Sequence, residues 1–320
     1  MPENDIADYP VVLDGVTRHF GKVVAASDVS FAVGEGTILG LIGPSGSGKT
    51  TIIRMLTGTL RPTAGQLTVL GEDPRHFRGA TRERIGYVPQ HFALYHDLTA
   101  YENVSFVAAL FGMFWRRRRR RVREVLELLE LWDAKGRLAG QLSGGMQRRL
   151  VLATALVHEP DVMFIDEPTA GVDPILRAKI WEALRALRDA GRTLLVTTQY
   201  VDEAEHCDAV ALLSHGKLLA LDRPDDLRRA VYGGEIVEVR TARSVDEKVI
   251  QGIEGVATVR RRGPRTLLVV VKDAGEATPR IVDALTRDGT SAISIDPYVP
   301  SFEEVFQAVV ERDDASREAA

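Results

Sequence analysis

The run Gly43-Pro44-Ser45-Gly46-Ser47-Gly48-Lys49-Thr50 constrains this chain more than any other segment. It has the form G-x-x-x-x-G-K-T, follows the apolar run Ile38 to Ile42 and precedes a helical pattern from Thr51 to Leu56. Glycines let backbone N–H groups converge on phosphate oxygens, and the positive end of the following helix adds to the field. In this reading Gly43, Pro44, Ser45, Gly46, Ser47 and Gly48 form a cradle for a nucleoside triphosphate. Lys49 reaches the outer phosphates, Thr50 ligates Mg²⁺, and Thr51, next in the helix, is also expected to bind the nucleotide. An ordinary glycine turn would not need the strand before it and the helix after it.

Apolar runs alternate with helical patterns along the chain, which predicts an α/β sheet. Ile38 to Ile42, Val162 to Ile165 and Thr193 to Thr197 are apolar on both faces, as strands of a helix-covered parallel sheet are. Ligands of such sheets bind at the carboxyl ends of the strands. The second run ends in Asp166-Glu167. A buried carboxylate without a cation is very costly, so the pair predicts a metal shell at Asp166 and a water-polarising base at Glu167. Between these runs, Thr99 to Leu142 has helical periodicity, with Val122, Val125, Leu126, Leu128, Leu129 and Leu131 mainly on one face. There follows Leu142-Ser143-Gly144-Gly145-Met146-Gln147-Arg148-Arg149, a helix start that makes a second anion site. One phosphate group does not need two such sites in one chain. The economical explanation is that Ser143, Gly144 and Gly145 touch ATP held by another copy, in a head-to-tail dimer.

The 320 residues fit about two domains. The first is expected over 1–232, with a helical subdomain at about 95–160. Gly233-Gly234 reads as a linker, and 235–311 follows a β-α-β-β-α-β order with a last helix near Phe302, the ferredoxin-like pattern. The stretch 312–320 reads as a polar tail. A net charge of −4 gives no drive toward nucleic acid, so none is expected as a partner. One cysteine excludes a disulfide framework, and the segment Met1 to Pro10 lacks the basic start and apolar stretch of a signal peptide. No window reaches the roughly 18 apolar residues of a membrane span. If the protein works at a membrane, another chain must cross it.

Together these motifs resemble the nucleotide-binding subunit of an ATP-binding cassette (ABC) transporter over residues 11 to about 230. The whole chain most resembles the drug-resistance exporter branch. Beside the phosphate loop, the resemblance rests on Tyr87-Val88-Pro89-Gln90, Leu142 to Gly145, Ile165-Asp166-Glu167-Pro168-Thr169, Gly171-Val172-Asp173-Pro174 and Thr197-Thr198-Gln199-Tyr200. Phe302-Glu303-Glu304-Val305-Phe306 resembles the accessory C-terminal domain of that branch. The fold implied is a P-loop NTPase cassette, α/β with a helical insertion, plus a small α+β ferredoxin-like domain.

The resemblance further implies ATP hydrolysis with Mg²⁺, with Glu167, Lys49 and Gln199 catalytic and Thr50, Gln90 and Asp166 around the metal. It implies that Phe20 stacks on adenine and that Asp173 links two active sites across the dimer. The loop His91 to Thr99 would contact separate multi-span membrane subunits at the cytoplasmic face, and the cargo would be a drug, antibiotic or lipid-like compound. Two positions depart from the common cassette pattern: Met146 stands where the signature usually has Gln, and Gln199 where most cassettes have His. Gln keeps an amide donor but cannot carry a proton, which leaves Glu167 as the base. Two other readings stay open: a soluble cassette ATPase acting on DNA or ribosomes, and a non-hydrolysing nucleotide switch.

The remaining singular residues have plainer readings. Arg116 to Arg121 could meet anionic lipid headgroups or nucleic acid, but a solvated helix face accounts for it more simply. His76, His91 and His96 lack metal spacing. Cys207 reads as an inert buried thiol, and Trp115, Trp132 and Trp181 as packing residues.

Overall fold

A computed structural model describes residues 9–90 and 94–318 of the chain. The chain divides into two compact units, 1–222 and 223–320.

The first unit runs β1 (Val11–Phe20), β2 (Val23–Val33), β3 (Ile38–Ile42), α1 (Lys49–Leu56), β4 (Ala64–Val69), α2 (Gly79–Arg82) and β5 (Ile85–Val88). There follow α3 (Ala100–Leu110), α4 (Trp115–Leu128), α5 (Gly144–Leu156), β6 (Val162–Asp166), α6 (Pro174–Asp189), β7 (Thr193–Thr198), β8 (Ala209–Ser214) and β9 (Lys217–Asp222). A six-stranded sheet has the order β5-β6-β7-β3-β8-β9. Its strands pair in parallel except at the β8–β9 hairpin. The turn of that hairpin puts His215 at φ 48° and Gly216 at φ 77°, the paired left-handed residues that a two-residue hairpin loop favours. β3, β6 and β7 are buried throughout, as their two-sided apolar runs require.

A second, antiparallel sheet of order β2-β1-β4 belongs to the same unit. The eight-residue α1 is too short to be stable alone. Its Ile52, Ile53, Met55 and Leu56 share one core with Val11, Leu13, Val29, Phe31 and Val69 of the antiparallel sheet and with Leu39, Leu41, Phe164 and Leu195 of the parallel one. Each such side chain contributes about 1.5–3 kcal/mol on burial, which fixes α1 and hence the loop that enters it. The helical stretch begins with a capping box, in which Thr99 and Glu102 satisfy each other's backbone donors. α3, α4 and α5 pack together, with Val104, Ala108, Val122, Val125 and Leu126 buried. Leu128, expected on the apolar face, is exposed. Trp115 also departs from the packing role expected of it: it is exposed at the start of α4, while Trp181 is fully buried.

The second unit contains α7 (Pro224–Tyr232), β10 (Glu235–Thr241), α8 (Lys248–Gln251), β11 (Val256–Gly263), β12 (Thr266–Val271), α9 (Ala274–Arg287), β13 (Ala292–Pro297) and α10 (Phe302–Glu318). The antiparallel order β11-β12-β10-β13 is that of the ferredoxin-like pattern. Asp273 caps α9, accepting from the Glu276 N–H, and the helix runs through Pro279.

Two sequence boundaries differ from the structure. The division falls at Asp222/Arg223, before α7 and not at the Gly233-Gly234 linker, because α7 packs on α10 and β10. Gly233, at φ 76°, is the C-cap of α7. The expected polar tail 312–320 is helical as far as Glu318, since polarity does not prevent a helix that has partners. Gln307 hydrogen-bonds Glu311 one turn on, and the Arg312 guanidinium donates to the Val231 and Ala230 carbonyls at the end of α7.

Truncation after Glu311 removes that clamp. It is expected to destabilise the second unit by about 1–3 kcal/mol, the range for hydrogen bonds made by a charged group. Hydrogen-exchange mass spectrometry should show faster exchange in α7 and α10, with the α1 amides unchanged.

Candidate nucleotide-binding and catalytic site

Four adjacent parallel strands, β5, β6, β7 and β3, bring their carboxyl ends to one edge of the sheet. The segments that follow them carry Gln90, Asp166-Glu167, Thr197-Gln199 and the glycine loop. The loop can take its course only with glycine at particular places. A Cβ at Gly43 would collide with the Leu213 carbonyl, and one at Gly48, where φ is 106°, with the Ala25 carbonyl. Gly46 also has left-handed backbone, at φ 82°. The loop is held from outside by the β8–β9 turn, whose Gly216 N–H donates to the Ser47 carbonyl at 3.1 Å, while Gly216 O accepts from Ser27 N at 2.8 Å.

Lys49 enters α1 with its ammonium turned into the loop. It donates to Gly43 O at 2.8 Å and Pro44 O at 3.0 Å and pairs with Glu167 Oε1 at 3.5 Å. Burial pushes its pKa below the ordinary lysine value, opposed by the Glu167 and Asp166 carboxylates. Thr50, in the same turn, has its hydroxyl 3.3 Å from Asp166 Oδ1. Ser47 Oγ is buried and has no hydrogen-bond partner among the described residues, as is Asp166 Oδ2. Pro44 and Ser45 are exposed, and Thr51 is half-buried on α1.

Asp166 is 1% exposed and Glu167 7%, so both carboxylates need partners. Thr197 supplies one contact to a carboxylate and two to the Glu167 backbone. Its hydroxyl donates to Asp166 Oδ1 at 2.6 Å and accepts from the Glu167 N–H at 3.0 Å, which also points at Thr197 O at 3.1 Å. Glu167 has φ 49°, a left-handed conformation that costs a non-glycine residue roughly 1–3 kcal/mol and persists only where its surroundings fix it. The Thr197 contacts fix its backbone, and Gln90 Nε2 fixes its carboxylate by donating to Oε2 at 2.8 Å.

Arg148 completes the set from α5. Its guanidinium donates to Gln90 O at 2.9 Å and Ala170 O at 3.4 Å, bridging the segment after β5 to the segment after β6. Its pKa is lowered by burial and held up by Glu167 and Asp166. The buried Thr169 hydroxyl, donating to Glu203 at 3.0 Å, ties the loop after the acidic pair to the turn after β7.

The sequence reading did not single out Thr197 or Arg148 for the site. Both stand inside quoted motifs, but threonine in a strand and arginine in a helix are too common to be noticed. Only the parallel register of β6 and β7, with Asp166 opposite Thr197, brings the hydroxyl to the carboxylate.

Other expected site residues stand apart from this cluster. Phe20 ends β1 and is 46% exposed, with the Arg18 guanidinium 4.6 Å from its ring centroid. Gln199 is exposed just beyond β7 and makes no side-chain hydrogen bond among the described residues. Ser143 is the exposed N-cap of α5, its hydroxyl accepting from Met146 N at 3.3 Å. Gly144 is exposed, and a methyl on Gly145 would displace the Leu176 side chain. Asp173 caps α6 by accepting from Leu176 N at 3.0 Å. Of the loop His91 to Thr99, residues 91–93 lie outside the described residues. Cys207 is buried against Gly40, where a Cβ would meet its sulfur, and burial raises the thiol pKa far above its ordinary value, consistent with an inert role.

A glycine loop after a central strand, with a buried acidic pair at the tip of β6, one strand away across β7, defines a P-loop nucleotide-binding protein of the cassette kind. Residues 26–170 match the ABC transporter family, and residues 223–310 match the family described as ATP-binding protein DrrA1-3-like, C-terminal domain. The chain is 37% identical over 319 residues to the daunorubicin resistance ATP-binding protein DrrA3 of Streptomyces coeruleorubidus, covering 98% of this chain and 100% of that one. It is 41% identical over 213 residues to the probable multidrug ABC transporter ATP-binding protein YbhF of Escherichia coli (strain K12). That match covers 67% of this chain and 37% of YbhF, so the chain spans little more than a third of that relative's length. The dimeric structure of a post-hydrolysis state of the ATP-binding cassette MJ0796, bound to ADP and Pi, superposes with a TM-score of 0.61 at 30% identity, covering 67% of this chain and 98% of that one. The chain belongs to the ATP-binding proteins of ABC transporters, and it binds nucleotide through its cassette.

Replacing Thr197 by Val removes the hydroxyl but keeps the side-chain shape. Leaving Asp166 Oδ1 and the Glu167 N–H short of a partner is expected to cost about 1–3 kcal/mol of stability. ATP turnover should fall by a larger factor than ATP affinity, a split that steady-state kinetics and a binding titration will read.

Proposed function

We propose that this chain hydrolyses ATP, with Mg²⁺ as cofactor, as the nucleotide-binding subunit of an exporter of drug, antibiotic or lipid-like compounds. It works as a head-to-tail pair of cassettes at the cytoplasmic face of the membrane and drives separate multi-span membrane subunits. Among the described residues no helix is long and apolar enough to cross a membrane. The observation that carries the reading is the convergence of Lys49 and Gln90 on the buried Glu167 carboxylate beside the glycine loop.

In the mechanism, the loop amides and Lys49 hold the outer phosphates, and positioning with charge stabilisation does most of the work. Lys49 exchanges its loop carbonyls and Glu167 for phosphate oxygens, which leaves Glu167 to orient the attacking water and take up its proton. Gln90 keeps the Glu167 carboxylate turned toward the phosphate end. Phe20, exposed at the end of β1, offers its ring to adenine, and Gln199 offers an amide donor to the γ-phosphate.

Asp166 Oδ2, buried and without a hydrogen-bond partner, beside the Thr50 hydroxyl, fits a hard cation that prefers oxygen. Thr50, Asp166 and Gln90 would hold Mg²⁺, which when bound offsets charge on the phosphate oxygens. So small a set of protein ligands suits Mg²⁺, which takes much of its shell from phosphates and water.

The exposure of Ser143 and Gly144 at the start of α5 supports a contact with ATP on a second copy, where the helix end meets negative charge. Asp173, on the neighbouring helix start, then lies where it can relay between the two sites. The names of relatives support the cargo class: DrrA3 is a daunorubicin resistance protein, and a relative from Rhizobium sp. (strain N33), 41% identical over 228 residues, is a Nod factor export protein.

Glu167→Gln is expected to retain ATP and lower turnover by about 10² to 10⁴; near-normal hydrolysis in this variant rejects the assigned base. In the unaltered protein, Mg²⁺-dependent hydrolysis should rise faster than linearly with protein concentration. Ser143→Arg should make that rise disappear while leaving ATP binding to the loop of each copy intact, and an unchanged rise would reject the composite site.

A further inference from the structure

The corner between α3 and α4 presents Leu110, Phe114 and Trp115 to solvent, with exposures of 70%, 84% and 60%. These side chains are not on a loose loop. The Phe111 ring stacks on His158 at 3.9 Å, Gly112 turns the chain at φ 69°, and Gly112 N and Met113 N donate to Ala109 O and Ala108 O. The nucleotide site described above uses none of these residues.

Arg116 to Arg121 follow directly. At helical spacing Arg116, Arg119, Arg120 and Arg123 share one face. Arg120 pairs with Glu124, Arg123 with Glu127, and Arg117 and Arg121 with Glu159. Arg116 and Arg119 have no carboxylate partner among the described residues, and Arg116 lies 5.1 Å from the centroid of the Trp115 ring. The first turn of α4 has no acidic residue, and Phe114 gives it no side-chain cap. Cations at a helix N-terminus oppose the helix dipole, so this arrangement disfavours α4 unless negative charge arrives from outside.

We propose that this corner is an anchor for an anionic phospholipid surface. Trp115 and Phe114 enter the interfacial layer, where aromatic rings are favoured, and Arg116, Arg119 and the uncapped start of α4 meet headgroup phosphates. The surface chemistry favours lipid over nucleic acid. The chain as a whole carries a net charge of −4, and three apolar side chains project beside the arginines. A bilayer interface accommodates both kinds of group. The anchor goes beyond the proposed export function, because it needs neither ATP turnover nor a membrane subunit.

The test titrates the full-length protein with protein-free vesicles of phosphatidylcholine, with and without phosphatidylglycerol, following tryptophan emission and co-sedimentation. Trp181 is buried and Trp132 is half-buried, so the part of an emission shift that is lost in Trp115→Phe reports on Trp115. The expected result is binding to phosphatidylglycerol vesicles that weakens with salt, with a blue shift that Trp115→Phe abolishes while sedimentation persists. Each arginine at such a surface is worth roughly fivefold in affinity, so Arg116→Gln with Arg119→Gln should weaken binding roughly 25-fold. Phe114→Ser with Trp115→Ser should also weaken it, and ATP hydrolysis should be unchanged in all variants. Equal binding to pure phosphatidylcholine, binding indifferent to both double variants, or displacement from vesicles by short duplex DNA would each overturn the proposal.

Discussion

The candidate site depends on four buried charges that sum to zero: Asp166 and Glu167 against Lys49 and Arg148. A single charge at that depth is costly without a partner, since its desolvation costs more than most folds gain from any one contact. Their balance obliges four separate segments to meet, namely the ends of β6 and β5, the start of α1 and the middle of α5. Lys49 draws the glycine loop over the acidic pair, and Arg148 draws the residues after β5 and β6 to α5. The hydrogen bonds from Thr197 and Gln90 complete the set and hold Glu167 in a backbone conformation it would otherwise avoid. The site is thus an electrostatic consequence of the sheet order, in which β5, β6, β7 and β3 lie side by side and parallel.

A close approach of backbones then fixes the loop. Gly43 and Gly48 leave room for the Leu213 and Ala25 carbonyls, which belong to β8 and to the antiparallel sheet. Gly216, at the β8–β9 turn, hydrogen-bonds to both Ser47 and Ser27. The antiparallel sheet therefore does more than cover α1. It supplies one wall of the phosphate loop, and it ends in Phe20 on the exposed rim. A substitution in β2 or in the β8–β9 turn would act on the nucleotide through these carbonyls without touching it.

The parts of this molecule legible in the sequence are those with strong local patterning. Two-sided apolar runs marked β3, β6 and β7, and the segments after them marked the site edge. The antiparallel sheet was not legible because β1 departs from regular pairing at several points, which breaks the strict alternation that marks a half-buried strand. Thr197 was not legible as a site residue because its role is set by register with Asp166, a relation between residues far apart in the chain. Trp115 was assigned to packing on the general habit of tryptophan, and its exposure follows from the sharp corner at Gly112, which turns α4 so that its first residue points outward. The ends of the second unit misled for a related reason. A Gly-Gly pair reads as a linker, yet one glycine caps α7, and a polar run reads as a tail, yet Arg312 ties it to that helix.

The two halves of the proposed ATP site have opposite physical character, and this difference connects binding to association. On the loop half the cation is buried and already engaged: the Lys49 ammonium is taken up by two carbonyls and a carboxylate. The signature half is exposed, with Ser143 satisfied only by its own helix turn and Gly144 open to solvent. Phosphate can reach Lys49 only by replacing contacts already made, which limits the net gain from that side. The second half gives up little when an anion reaches it, so in the proposed pair a triphosphate seated in one copy would gain additional donors from the α5 start of the other. In the proposed mechanism association is therefore favoured by the phosphate end of the nucleotide. Loss of the γ-phosphate removes the charge that the α5 start attracts and returns Lys49 to Glu167. Opening after hydrolysis then requires no device beyond the charges already in the fold.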